Sequence, residues 1–125
     1  MRENEIGKVL LECAFRVHSA LGPGLLESAY EACLVHELTK ARLEVSRQVP
    51  FPVLYDGVEL HAGYRLDLLI EDKVIVELKV VEKFLPLHVA QLLGYLKLSN
   101  RKLGYLLNFN TVHMRTGVKR VVNGL

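Results

Sequence analysis

Over the first twenty-one residues the apolar side chains fall at Ile6, Val9, Leu10, Cys13, Val17, Ala20 and Leu21. Steps of three and four follow the pitch of an α-helix and gather these side chains into one stripe. Asn4 is placed to cap the start of this helix, and Gly22-Pro23 ends it. A second helix is expected from about Leu25 to Lys40. The pattern then changes. Residues 44–55 read as a strand, with Pro50 and Pro52 marking an edge or a distortion. Asp56-Gly57 is a hairpin signal leading to a strand at about 62–70, and a further strand covers 74–81. Pro86 suits the first turn of a helix over roughly 86–100. Residues 103–109 form the next strand, and 117–122 add a short last one. The order α-α-β-β-β-α-β predicts an α/β fold, a mixed β-sheet flanked by helices on both faces, with residues 1–125 as a single domain.

One strand breaks its own pattern. VIVELKVVEKF, residues 74–84, is β-branched and apolar except for Glu77 and Lys79 in its middle. Charges in a central strand are unfavourable unless each has a partner or a task. Side chains two apart share a face of a strand, so Ile75, Glu77 and Lys79 line one face and Val74, Val76, Leu78 and Val80 the other. In the preceding strand, Leu66, Leu68 and Ile70 are expected on one face and Arg65, Asp67 and Leu69 on the other. The apolar faces coincide only with an odd-length loop, Glu71-Asp72-Lys73, which sets Ile70 against Val74 and Asp67 against Glu77. Two carboxylates about 5 Å apart at an effective dielectric near 20 repel by roughly 3 kcal/mol. Protonation, an Asp67–Lys79 ion pair or a divalent cation would each relieve this. All-oxygen ligands of this kind favour Mg²⁺ or Mn²⁺ over zinc.

Composition narrows the remaining classes. Half of the residues are hydrophobic and 24% are charged, the balance of an ordered globular chain. MRENEIGKVL lacks the apolar core of a signal peptide, and no apolar run approaches the roughly 20 residues that span a bilayer. Cys13 and Cys33 have no metal-ligand spacing, so two reduced thiols in the cytoplasm are expected, with a disulfide between the first two helices as the alternative. The net charge of +2 is small, but it is unevenly spread. Residues 1–82 carry −5, whereas residues 83–125 carry seven Lys/Arg and no carboxylate. That asymmetry fits a basic surface beside an acidic pocket, and it equally fits solvated basic faces. Lys97, Arg101, Lys102, Lys119 and Arg120 are the candidate nucleic-acid contacts.

At this point the motifs resemble a known family. Asp67-x9-Glu77-x-Lys79 on adjacent antiparallel strands resembles the signature of the PD-(D/E)xK nucleases, with Leu66 in place of the proline. GLLESAY, residues 24–30, resembles the Gly-x-x-Glu-x-x-Tyr motif of the GxxExxY family, a branch of that superfamily. QLLGY, residues 91–95, resembles the Gln-x-x-x-Tyr motif of the RecB-like branch. The resemblance implies a restriction-endonuclease-like core and a Mg²⁺- or Mn²⁺-dependent nuclease. It implies Asp67 and Glu77 as metal ligands, the Leu78 carbonyl as a further one, and Glu27 as a contact to the bound water or a second ion. Lys79 would orient the water or stabilise charge on phosphorus, with Gln91 and Tyr95 contacting phosphate or holding Lys79. Tyr30 is expected to pack or hydrogen-bond rather than catalyse, and His88 to be an exposed helix residue. The implied partner is nucleic acid, DNA ahead of RNA, with no membrane. Any sequence selectivity would have to come from a homodimer or another partner. A non-catalytic nucleic-acid-binding or interaction module of the same fold is the competing class.

Overall fold

The periodic stripe at the start of the chain becomes helix α1, Glu3–Leu21, with Ile6, Leu10, Cys13, Ala14 and Val17 buried. The computed structural model describes residues 1–125. Asn4 is not the cap. The helix begins one residue earlier, with Arg2 at the cap position and its backbone N–H donating to the Glu5 carboxylate at 3.0 Å. Asn4 lies within the first turn, where its Oδ1 accepts a hydrogen bond from Arg120. Gly22, at φ 69°, closes the far end by donating to the His18 carbonyl at 2.8 Å. Helix α2 covers Glu27–Lys40 and packs on α1. Cys13 and Cys33 are free thiols.

Five strands form the main sheet in the order β1 (Val45–Pro50), β4 (Arg65–Ile70), β5 (Val74–Lys79), β6 (Leu103–Asn108), β7 (Val118–Val122). Only β5 and β6 run parallel, joined by the crossover helix α3, Pro86–Ser99. A short 3₁₀ turn, Met114–Gly117, precedes β7. Helices α1 and α2 cover one face, burying Ile6, Leu10, Tyr30 and Leu34 against Val76 and Leu107. Helix α3 covers the other, with Leu92 and Leu96 packed on Leu69, Ile75 and Leu106. Strands β5 and β6 are sealed on both faces, which is why they read as near-continuous apolar runs.

Three expectations for the β segments change. Residues 44–55 do not make one strand, because Pro50 and Pro52 cannot donate to a ladder. The chain leaves the sheet there, with the Phe51 N–H held by the Tyr64 carbonyl at 3.0 Å. Asp56-Gly57 does form a hairpin turn, with φ values of 55° and 74°. Its strands are β2 (Val53–Tyr55) and β3 (Val58–Leu60), a separate two-stranded sheet; β4 begins only at Arg65. The third change concerns Leu66, which packs in the α3 layer with Leu69 and Ile75, not on the face of Leu68 and Ile70. Opposite this point in the β1–β4 register, Gln48 sits at φ 49°. A left-handed residue interrupts the alternation of side chains along a strand. That distorts β1 beside Asp67, and in β4 the faces switch between Leu66 and Leu68.

Candidate active site

The β4–β5 register is the one expected from the apolar faces. Ile70 pairs with Val74, Leu69 with Ile75 and Leu68 with Val76, so the next position along sets Asp67 opposite Glu77. There the regular ladder stops and side chains replace it. The Leu78 N–H donates to Asp67 Oδ2 at 2.8 Å, and the Asp67 N–H donates to Glu77 Oε2 at 3.2 Å. Each carboxylate is thus tied to the other's strand by one oxygen. A strand residue's N–H and C=O leave on the same side, so the Leu78 carbonyl also points toward β4 and this pair.

Glu77 is buried, with 6% of its surface exposed. Burial, then the charge of Asp67 and a hydrogen bond to its carboxyl, push Glu77 up to about 9. Lys79, two residues on and on the same face, works against that rise. On the α3 side, Tyr95 has its hydroxyl pKa raised by burial first, then by Glu77, Tyr64 and Asp67. Tyr95 packs with Leu66, Leu69 and Ile75, on the face of β5 that carries Glu77. Gln91, one turn earlier, is exposed and lines an open groove with Tyr95 and Tyr64. On the α2 side, Glu27 is raised by partial burial of its carboxyl, then by the charge of Asp67, while Lys79 lowers it. It stands within electrostatic reach of Asp67 and Lys79, and no three acidic, histidine or cysteine side chains cluster here.

Glu27 opens α2 because the loop before it is pinned. The fully buried Tyr30 donates its hydroxyl proton to the Gly22 carbonyl at 2.6 Å and accepts from the Leu25 N–H at 3.1 Å. Its ring stacks on Phe109 at 4.7 Å between centroids. Gly24 passes through φ 93°, where a side chain would be strained. The expected packing and hydrogen-bonding role of Tyr30 is what the geometry shows. His88 is half-buried rather than exposed, and its Nδ1 accepts the Leu85 N–H at 3.0 Å, capping α3.

The five basic residues do not gather around this centre. Lys119 is the nearest in register: Glu77, Leu106 and Lys119 lie in line across three strands and share a face, about 10 Å apart at the backbone. Arg120 points to the other face and is tied to Asn4 at 2.7 Å. Arg101 pairs with Asp72 at 2.7 Å in the β4–β5 turn. Both that pair and Lys102 sit four to five strand residues from the level of Glu77, about 13–17 Å of rise. Lys97 is exposed near the end of α3.

Two features had no motif to announce them. Glu31, buried on α2 one turn after Glu27, binds Arg47 at 2.9 Å and Gln48 at 2.8 Å. It holds the distorted stretch of β1 that faces Asp67. Asn108, 2% exposed, accepts the Val81 N–H at 3.2 Å and donates to the Val81 carbonyl at 2.8 Å, fixing the chain just after Lys79. Its only sequence signal is an amide in the apolar run LGYLLNF.

The family model for the PD-(D/E)XK nuclease superfamily matches residues 4–121, nearly the whole chain. The chain belongs to the PD-(D/E)XK nuclease superfamily. Its fold agrees with that of a crystal structure, SSO0001, at a TM-score of 0.56 and 23% sequence identity. The match covers 98% of this PD-(D/E)XK chain and 60% of that protein, so the present chain spans less than two thirds of its length. No curated protein matches. No helix of this PD-(D/E)XK domain is long and apolar enough to cross a membrane.

Proposed function

We propose that the protein is a divalent-metal-dependent nuclease hydrolysing phosphodiester bonds of nucleic acid, and that it belongs to the GxxExxY branch of its superfamily. The observation that carries this reading is the opposed pair Asp67 and Glu77 at the point where the β4–β5 ladder gives way, with Lys79 on the same face. A carboxylate pair plus the Leu78 carbonyl suits Mg²⁺ or Mn²⁺, since Mg²⁺ takes one or two protein carboxylates and keeps several waters. When bound, such an ion supplies Lewis-acid charge to the phosphoryl group and acidifies water.

The chain's own residues divide the remaining work. Lys79 presents ammonium donors to the charge that builds on phosphoryl oxygens. Glu27, raised in pKa on the opposite side of Asp67, is placed to accept or hold a proton. Gln91 and the Tyr95 hydroxyl, both on α3, would position phosphate or Lys79. Tyr30 gives the Gly24-Glu27-Tyr30 motif a physical reason, because it fixes the loop from which Glu27 projects. The second reading is a nucleic-acid-binding module of the same fold without turnover.

Hydrolysis of DNA first and RNA second, with Mg²⁺ or Mn²⁺, separates the two. The wild type should cut, Glu77→Ala should not, and Lys79→Ala should keep metal binding while losing roughly 10²–10³ in rate. Binding without hydrolysis by the wild type would establish the module. Equal cutting by all three proteins would expose a contaminating nuclease and remove the claim.

A further inference from the structure

A groove of about 680 Å³ runs from Tyr95 between the β2–β3 hairpin and α3, lined by Val53, Tyr64, Leu87, Gln91, Gly94 and Leu98 among others. Its walls are mostly apolar and carry no charged side chain. Yet it opens to solvent: Leu87 is 73% exposed, and Tyr64 and Leu98 are exposed as well. Phe51 and Tyr95 back Tyr64 with tilted and edge contacts at 6.0 and 5.7 Å, which hold its ring in place. Cations lie at the margins. Arg65 follows Tyr64 and is exposed, and Lys97 lies two helical turns after the groove residue Ala90, hence on the same side of α3.

We propose that this groove receives an unstacked nucleobase next to the phosphodiester at Asp67 and Glu77, making single-stranded nucleic acid the preferred substrate. The inference rests on the nuclease reading of the site and adds its substrate class. Tyr95 is the link, since it lines the groove and packs in one cluster with Leu66 and Ile75, the strand neighbours of Asp67 and Glu77. A base inside a duplex is stacked on both faces and offers only its edges. A fixed aromatic ring and an exposed leucine lining one groove offer flat apolar contact instead, which any free base can take up. Gln91 and His88 are the polar groups within reach of a base edge.

The test is fluorescence anisotropy with a labelled twelve-nucleotide DNA strand and its duplex, every protein carrying Glu77→Gln so that no strand is cut. The single strand should bind more tightly. Tyr64→Ala and Leu87→Ser should each weaken it by roughly 5- to 150-fold, the range for loss of one stacked base, while duplex binding changes little. Tyr64→Phe, which keeps the ring, should bind like the parent, and Leu87→Ser lies too far in solvent to unfold the chain. Equal affinity for strand and duplex, or indifference to both Tyr64→Ala and Leu87→Ser, overturns the proposal. So does a dimer in sedimentation that Leu87→Ser converts to monomer, because the groove would then hold a second copy. Strand binding as expected, with no cutting of that strand by the protein that keeps Glu77 in Mg²⁺ or Mn²⁺, would count against the nuclease reading alone.

Discussion

In metal-free protein, Glu77 keeps a proton at neutral pH, because burial and Asp67 disfavour its charged form. Its folded-state pKa of about 9 lies above its ordinary 4.5. Between those values the folded state holds a proton that the unfolded chain has released, so this group's stabilisation is complete below 4.5 and is lost as pH rises toward 9. Urea unfolding in EDTA should therefore show the wild type losing stability relative to Glu77→Gln across that window, by at most about 1.4 kcal/mol per pH unit. Parallel pH profiles for the two proteins would contradict the assignment. Asp67→Asn removes the neighbouring charge that helps to raise the Glu77 pKa. It should leave the metal-free fold as stable or more so, and should erase any Mn²⁺-dependent shift in melting temperature.

At the scale of elements, α2 is aimed by a single tyrosine and α3 by a single glycine. Tyr30→Phe keeps the stacked ring on Phe109 but leaves the Leu25 N–H and Gly22 carbonyl without their partner. A loss of about 1–3 kcal/mol in urea unfolding is expected, together with reduced hydrolysis, because Glu27 starts the helix that this loop positions. Gly104 on β6 lets α3 approach the sheet. A Cβ there would lie 2.9 Å from Leu92 Cδ1 and 3.2 Å from the Ile75 carbonyl oxygen. Gly104→Ala should destabilise by about 1–3 kcal/mol through overpacking, and an unchanged unfolding midpoint would mean that Leu92 yields without displacing the helix.

For the whole molecule, charge and metal give the two global readouts. A divalent ion that binds only the folded state should add about 2.7 kcal/mol at one hundred times its dissociation constant. Identical melts with and without saturating Mn²⁺ would leave the carboxylate pair relieved by protonation instead. Basic residues should contribute to binding according to where the sheet places them. On a single strand each phosphate contact adds about 0.7 to the slope of log affinity against log salt. Lys119→Ser, level with Glu77 on the same face, should lower that slope by one contact, and Lys102→Ser at the far end should leave it unchanged. The reverse order would place the strand across the other end of the sheet.

Much of the site could be read from the chain, because strand geometry is local. Period-two alternation and the need to match apolar faces were enough to place Asp67 opposite Glu77, with Lys79 on the same face. Helical spacing for the first helix and Pro86 for the third likewise located α1 and α3 to within a residue or two, and the expected second helix overlaps α2 as closely. What depended on contacts between distant segments could not be read that way. Lys97, Arg101, Lys102, Lys119 and Arg120 are close in sequence, but a strand, a turn and a crossover send them to different faces and opposite ends of the sheet. Leu66 packs on the α3 side, away from the face that alternation predicts, beside the stretch of β1 that is distorted at the left-handed Gln48. The groove beside Tyr95 exists only because two prolines release the β2–β3 hairpin from the sheet to stand over α3. Sequence period sets which way neighbouring side chains face along one element; where two elements meet is set by the packing of the whole chain.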